Sequence, residues 1–173
     1  TYVIVSPLNF LSELFTVRGA GTMLRRGAKI KSYKTYQSAG KKPVTHSIEA
    51  AFGRTLVPDY FKDAPQNILL EENIRGGAIV TTRNGLPYLS KFWVSQEAQG
   101  EGIARDIWAA LSAQTPTFFW RSRKDNAFNN WYMNVCEGMQ VYGDWRVFWI
   151  GLRPEQIQSA VEDAATAPED FIQ

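Results

Sequence analysis

The chain has 173 residues, of which 45% are hydrophobic and 21% charged, and a formal net charge of +2. This length and balance fit one compact domain with its own core and argue against a second full one. So small a net charge also argues against nucleic acid or a membrane surface as partner. Cys136 is the only cysteine and His46 the only histidine. A disulfide framework, a Ser-His-Asp triad and a multi-histidine metal site are therefore not expected, and a reducing compartment, the cytoplasm, is. No apolar run reaches the length of a membrane span, and the opening "TYVIVSPLNF" lacks the basic stretch of a signal peptide.

Taken in order, the first third reads as a short strand, a helix over "LNFLSELF", the turn "RGAGT" and mixed helical sequence. Arg25, Arg26, Lys29, Lys31 and Lys34 form a basic cluster there, expected to be a solvated helix face. "IRGGAIVTT" and "LPYLSKFWV" flank Asn84-Gly85, a pair that tolerates positive φ at both positions, so a hairpin is predicted. After "QGEG", Ile103, Ile107 and Leu111 form one apolar stripe of a helix. "TPTFFW" reads as a buried strand. Phe128, Trp131, Tyr132, Val135 and Cys136 predict an amphipathic helix ended by Gly138 as its left-handed cap. "WRVFWIGL" is a further strand, and Pro154 opens a last helix through Ile157, Val161 and Ala164. The order predicts a mixed α/β domain around a partly antiparallel sheet.

The glycines of "VSQEAQGEGIARDIW" stand between a strand end and a helix, where unpaired N–H groups and the helix dipole suit an anion. A dinucleotide fingerprint fails, because Arg105 occupies its third glycine position and the turn follows a hairpin. "GAGTMLRRGAK" fails as a P-loop on glycine spacing and lacks the Lys-Ser/Thr ending. Gln99, Gly102 and Ala104 instead spell Gln-x-x-Gly-x-Ala, which resembles the acetyl-CoA motif of the GCN5-related N-acetyltransferases (GNAT).

"YLSKFWV", "FFWRSRKDNAFNNWY" and "WRVFWIGL", in this order, resemble the acetyltransferase domain of vertebrate-like N-acetylglutamate synthases, which include the bacterial bifunctional synthase/kinases. The likeness extends upstream through "SPLNFLSELFTVRGAGTMLRRG". It implies a mostly antiparallel sheet that splays at the acetyl-CoA site, with helices on both faces. Residues 1–173 would form a single acetyltransferase domain, and residues 1–30 would resemble the linker after an amino-acid-kinase domain. The implied reaction is acetyl transfer from acetyl-CoA to the α-amine of L-glutamate in arginine biosynthesis, without metal. The implied full-length protein is a homo-oligomer.

The resemblance also assigns residues. Gln99, Gly100, Gly102, Ile103 and Ala104 would bind the coenzyme's pyrophosphate, and the backbone near Phe92 and Val94 would orient its pantetheine arm and polarise the thioester. Arg18, Lys91, Arg121, Ser122, Arg123 and Asn126 would hold the two carboxylates of glutamate. The family has Lys where this chain has Arg18. Tyr132 would protonate the leaving thiolate. Read from the residues alone, structural ion pairs are the alternative for Lys91 and Arg121, and Tyr132 reads as a core ring on an apolar stripe. No general base stands out. Cys136, without a histidine partner, reads as a buried structural thiol, and His46 as a helix N-terminal residue without a catalytic role. Acetylation of another amine, or a non-catalytic coenzyme-binding domain, are the competing readings.

Overall fold

A computed structural model describes residues 27–173 and, upstream, the short antiparallel strands β1 (Tyr2–Ile4) and β2 (Thr22–Leu24). "LNFLSELF", residues 18–21 of the following turn, Arg25 and Arg26 lie outside the described residues. A seven-stranded sheet forms the body, in the order β3-β4-β5-β6-β7-β9-β8. Its strands are β3 (Ile30–Tyr33), β4 (Asn67–Glu71), β5 (Gly76–Arg83), β6 (Leu86–Val94), β7 (Phe118–Arg123), β8 (Gly138–Tyr142) and β9 (Trp145–Ile150). The helices are α1 (Tyr36–Ala39), α2 (Lys41–Phe52), α3 (Ile103–Gln114), α4 (Asn129–Val135) and α5 (Pro154–Thr166). Every pairing is antiparallel except β6 with β7.

Strand alternation sends side chains to two cores. Leu69, Ala78, Val80, Phe92, Trp120 and Phe148 meet α3 and α4 on one face. On the other, Ile68, Leu70, Ile79 and Trp93 meet α2, while Phe119 and Val147 meet α5. Helices thus cover both faces, as expected. The predicted hairpin is β5–β6, with Asn84 at φ 52 and Gly85 at φ 73, the doubly left-handed turn that matches strand twist. Ile103, Ile107 and Leu111 are all buried in α3 as their spacing requires. Pro154 opens α5.

Several expectations change. Strands β3, β4 and β8 are additions to the predicted order. The basic cluster, where described, is not a helix face: Lys29 precedes and Lys31 lies on the edge strand β3, both exposed, where charge deters edge-to-edge pairing. The helix predicted from Phe128 to Cys136 is only α4, seven residues long, and Gly138 begins β8 instead of capping it. Gly138 is needed there because a Cβ would lie 2.3 Å from the Trp149 indole. Cys136 accordingly leaves the helix in extended backbone and is half-buried against the core, and burial pushes its thiol pKa up. His46 lies mid-helix in α2, exposed to solvent.

Candidate active site

Two departures from regular sheet geometry create the site. Ile79 pairs with Lys91 but Val80 pairs with Leu89, so Ser90 is an extra, bulged residue in β6. Beside it, β6 and β7 touch in register at a single point, Tyr88 with Phe119. Beyond that point the β7 side of β6 has no strand partner among the described residues as far as Val94, which is the splay that the resemblance implies.

At the end of β6 the chain makes one turn of 3₁₀ helix, Gln96–Ala98, and then enters the glycine turn. Gly100 (φ 88) and Gly102 (φ 78) are both left-handed, a conformation that a Cβ penalises. The first intrahelical bond of α3 runs from the Asp106 amide to the Gly102 carbonyl at 3.2 Å. The amides of Ile103, Ala104 and Arg105 therefore have no acceptor within the helix. They open on a groove of about 570 Å³ lined by Val94, Gln99, Gly100, Gly102, Ile103 and Ala104, with Phe128 and Trp131 on its other wall. The structure thus brings six of the seven coenzyme candidates to one groove. The seventh, Phe92, lines the adjoining cleft.

That cleft, about 440 Å³, shares Gln99, Ala127 and Phe128 with the groove, and it passes through the splay, so both faces of the sheet contribute to it. On the α4 side stand Trp120, Ser122 and Tyr132. Tyr132 is 4% exposed, and the rings of Trp120 and Phe148 lie 5.4 Å from its own. Its hydroxyl has no hydrogen-bond partner among the described residues. Desolvation alone drives the phenol pKa well above its usual value, which keeps the proton on. The Trp120 indole N–H and the Ser122 hydroxyl are also buried and unpartnered. Each such group costs about 1–3 kcal/mol unless a ligand or water satisfies it. Tyr132 is thus a core ring by packing and a free proton donor by hydrogen bonding.

The opposite side carries the cations. Lys91, 6% exposed, is ion-paired to Asp170, and its ammonium lies 4.8 Å from the Phe171 ring centre and 5.0 Å from that of Tyr60. Desolvation lowers its pKa, and the Asp170 carboxylate only partly offsets this. Arg121 and Arg123 alternate with Ser122 along β7 and share one face, stacked 4.0 and 4.2 Å from the Trp145 ring. Arg121 donates to the carbonyls of Ala164 (3.0 Å), Ala167 (2.7 Å) and Pro168 (2.6 Å), closing the C-terminus of α5. Arg123 bonds Glu169 at 2.5 Å. Asn126 lines the cleft while its side-chain oxygen accepts the Phe128 amide at 2.8 Å. Arg18 lies outside the described residues.

Lys91, Arg121 and Arg123 therefore converge, but each already has partners in residues 164–170. Glu169, Asp170 and Trp145 were not anticipated by number. The only signal for them was that buried cations need counter-charges. Among the described residues no cluster of His, Cys, Asp or Glu could hold a metal ion, and no helix is long and apolar enough to cross a membrane.

Comparison with known proteins agrees with this geometry. The structure resembles a solved GNAT-family acetyltransferase from Staphylococcus aureus (TM-score 0.53, 15% identity, covering 72% of this chain and 100% of that one). It also resembles the solved N-acetylglutamate synthase from Neisseria gonorrhoeae complexed with coenzyme A and N-acetyl-glutamate (TM-score 0.51, 17% identity, 82% of this chain and 39% of that one). The fold is that of the GNAT acetyltransferases.

Sequence narrows the class. The profile described as "NAT, N-acetyltransferase, of N-acetylglutamate synthase" matches residues 30–167, and the chain belongs to that family. A Xylella fastidiosa protein named acetylglutamate kinase is 37% identical over 98% of this chain. The mitochondrial N-acetylglutamate synthase of Danio rerio is 34% identical over 98% of it. The chain spans only 41% and 33% of those two proteins.

Proposed function

We propose that this domain transfers the acetyl group of acetyl-CoA to the α-amine of L-glutamate. The observation that carries this is the continuity of the glycine-turn groove with a cation-bearing cleft, with Tyr132 beside the junction. The groove's free amides suit a pyrophosphate. The unpaired edge of β6 near Phe92 and Val94 suits the pantetheine arm and the thioester carbonyl. Lys91, Arg123 and Asn126 suit carboxylates, and Arg121 holds the wall on which they stand.

The chemistry needs no metal. The neutral amine attacks the thioester carbon, the C–S bond breaks, the Tyr132 hydroxyl gives its proton to the departing thiolate, and the proton lost from the acylated nitrogen passes to water, through which the phenol is reprotonated. The family match and the names of the relatives support glutamate as acceptor. The name of the Xylella relative, of which this chain spans 41%, supports a kinase domain in the parent chain, and residues 1–30 are proposed as the connecting linker. A place in arginine biosynthesis, a cytoplasmic location and assembly as a homo-oligomer complete the proposal.

A thiol-release assay with acetyl-CoA and a panel of amines tests it. Turnover with glutamate is expected. Turnover with a polyamine or lysine peptide but not glutamate would move the assignment to another acetyltransferase, and coenzyme binding without any turnover would make this a regulatory domain.

A further inference from the structure

Glutamate carries two carboxylates and an ammonium, and cations alone do not recognise it. The cleft is lined by four cations, Arg54, Lys91, Arg121 and Arg123, against three carboxylates, Asp125, Glu169 and Asp170. One net positive charge faces a substrate of one net negative charge. Glu169 and Asp170 are held in place by backbone. The Asp170 carbonyl accepts the Val57 amide at 2.9 Å, Ile172 donates to the Thr55 carbonyl at 2.8 Å, and Phe171 forms a bridge with Leu56. Their side chains are not saturated. Lys91 takes only Oδ2 of Asp170, and Arg123 takes only Oε1 of Glu169. The second oxygen of each has no donor among the described residues. Across the cleft, the buried Ser122 hydroxyl also lacks a partner. The wall therefore offers donors and acceptors side by side.

We propose that Glu169 and Asp170 determine acceptor specificity, supplying the acceptors that favour an acidic amino acid with a free ammonium over a plain dicarboxylate. The inference rests on the acceptor proposed above. It also explains why the cations are paired in the free protein: their partners are part of the recognition pattern and are not only structural counter-ions.

Calorimetric titration with L-glutamate and with glutarate, which lacks the amine, tests this in the wild type, Glu169→Gln and Asp170→Asn. The wild type should prefer glutamate, and each variant should lose about tenfold of that preference, the scale of one hydrogen bond to a charged group. Asp170→Glu should restore part of it. Asp170→Asn removes the counter-charge of a buried lysine and can fail to fold. Glu169→Gln, at a half-exposed pair, keeps the test open. An unchanged preference in folded Glu169→Gln, or equal tightening of both ligands, would overturn the proposal by reducing the carboxylates to competitors for the cations. A wild type that neither binds nor acetylates glutamate would instead overturn the acceptor assignment itself.

Discussion

Arg75 Nη1 lies 2.8 Å from Glu101 Oε2, tying the β4–β5 turn to the residue between Gly100 and Gly102 of the glycine turn. Arg75 is itself braced by Glu71, which is 1% exposed, and its carbonyl accepts the Ser95 amide at 2.7 Å. The glycine turn is thus tied to the body of the sheet at Glu101, and the chain leading into it at Ser95. Glu101→Gln should raise the acetyl-CoA KM a few-fold and leave kcat and the glutamate KM alone, since the Arg75–Glu101 strap is solvent-exposed and such pairs are weak. High salt should have the same small effect on the wild type and less on the variant. Steady-state kinetics at two ionic strengths decide; a kcat effect would show that the strap reaches the chemistry.

Gly102→Val should be more severe. Gly102 sits at φ 78, where a β-branched residue is strained, and its new side chain would stand at the mouth of the groove. A large rise in acetyl-CoA Kd with the fold retained is expected from calorimetry and circular dichroism. Unchanged coenzyme affinity in a folded variant would move the pyrophosphate elsewhere.

Stability should carry a pH signature of Lys91. Desolvation lowers its native pKa below the ordinary 10.5, so between the two values the unfolded chain binds more protons. Stability attributable to this residue therefore rises with pH in that window, and below it the cost of burying the ammonium is present in full. The window closes from above because burial raises Tyr88 to about 12 and Tyr60 well above its ordinary 10.0, and raised tyrosines lose native stability as pH passes 10.0. Thermal melts from neutral pH to about pH 10 should show the wild type gaining on Lys91→Met. A constant difference would mean that Lys91 stays charged throughout.

Much of this was legible in the sequence, for local reasons. Asn84-Gly85 fixes a hairpin by turn chemistry, and the spacing of Ile103, Ile107 and Leu111 fixes a helix by its period. The coenzyme candidates are nearly contiguous, so one motif finds them together. Strand β4, "NILLE", is buried at all five positions and shows no alternation, and the outer strand β8, "GMQVY", has no fully buried residue. Neither gives a period-two signal. Gly138 has the spelling of a cap but is required by Trp149, which only the tertiary fold brings over it. The same applies to the cleft. Lys91 and Arg123 could be named, but their partners stand 79 and 46 residues away in a tail with no motif of its own.

Tyr132 carries the central claim, and one measurement bears on it most directly: the single-turnover rate of acetyl transfer to glutamate in Tyr132→Phe. The substitution keeps the ring among Trp120, Phe148 and their neighbours and removes a hydroxyl that has no partner among the described residues, so stability should hardly move. Burial holds the proton on the phenol, so the native hydroxyl is protonated throughout the neutral range. Its loss should slow the chemical step by roughly 10²–10⁴-fold with both substrates still bound. A single-turnover rate within about twofold of the wild type in a folded, substrate-saturated variant would contradict the account and leave the departing thiolate to take its proton from another source.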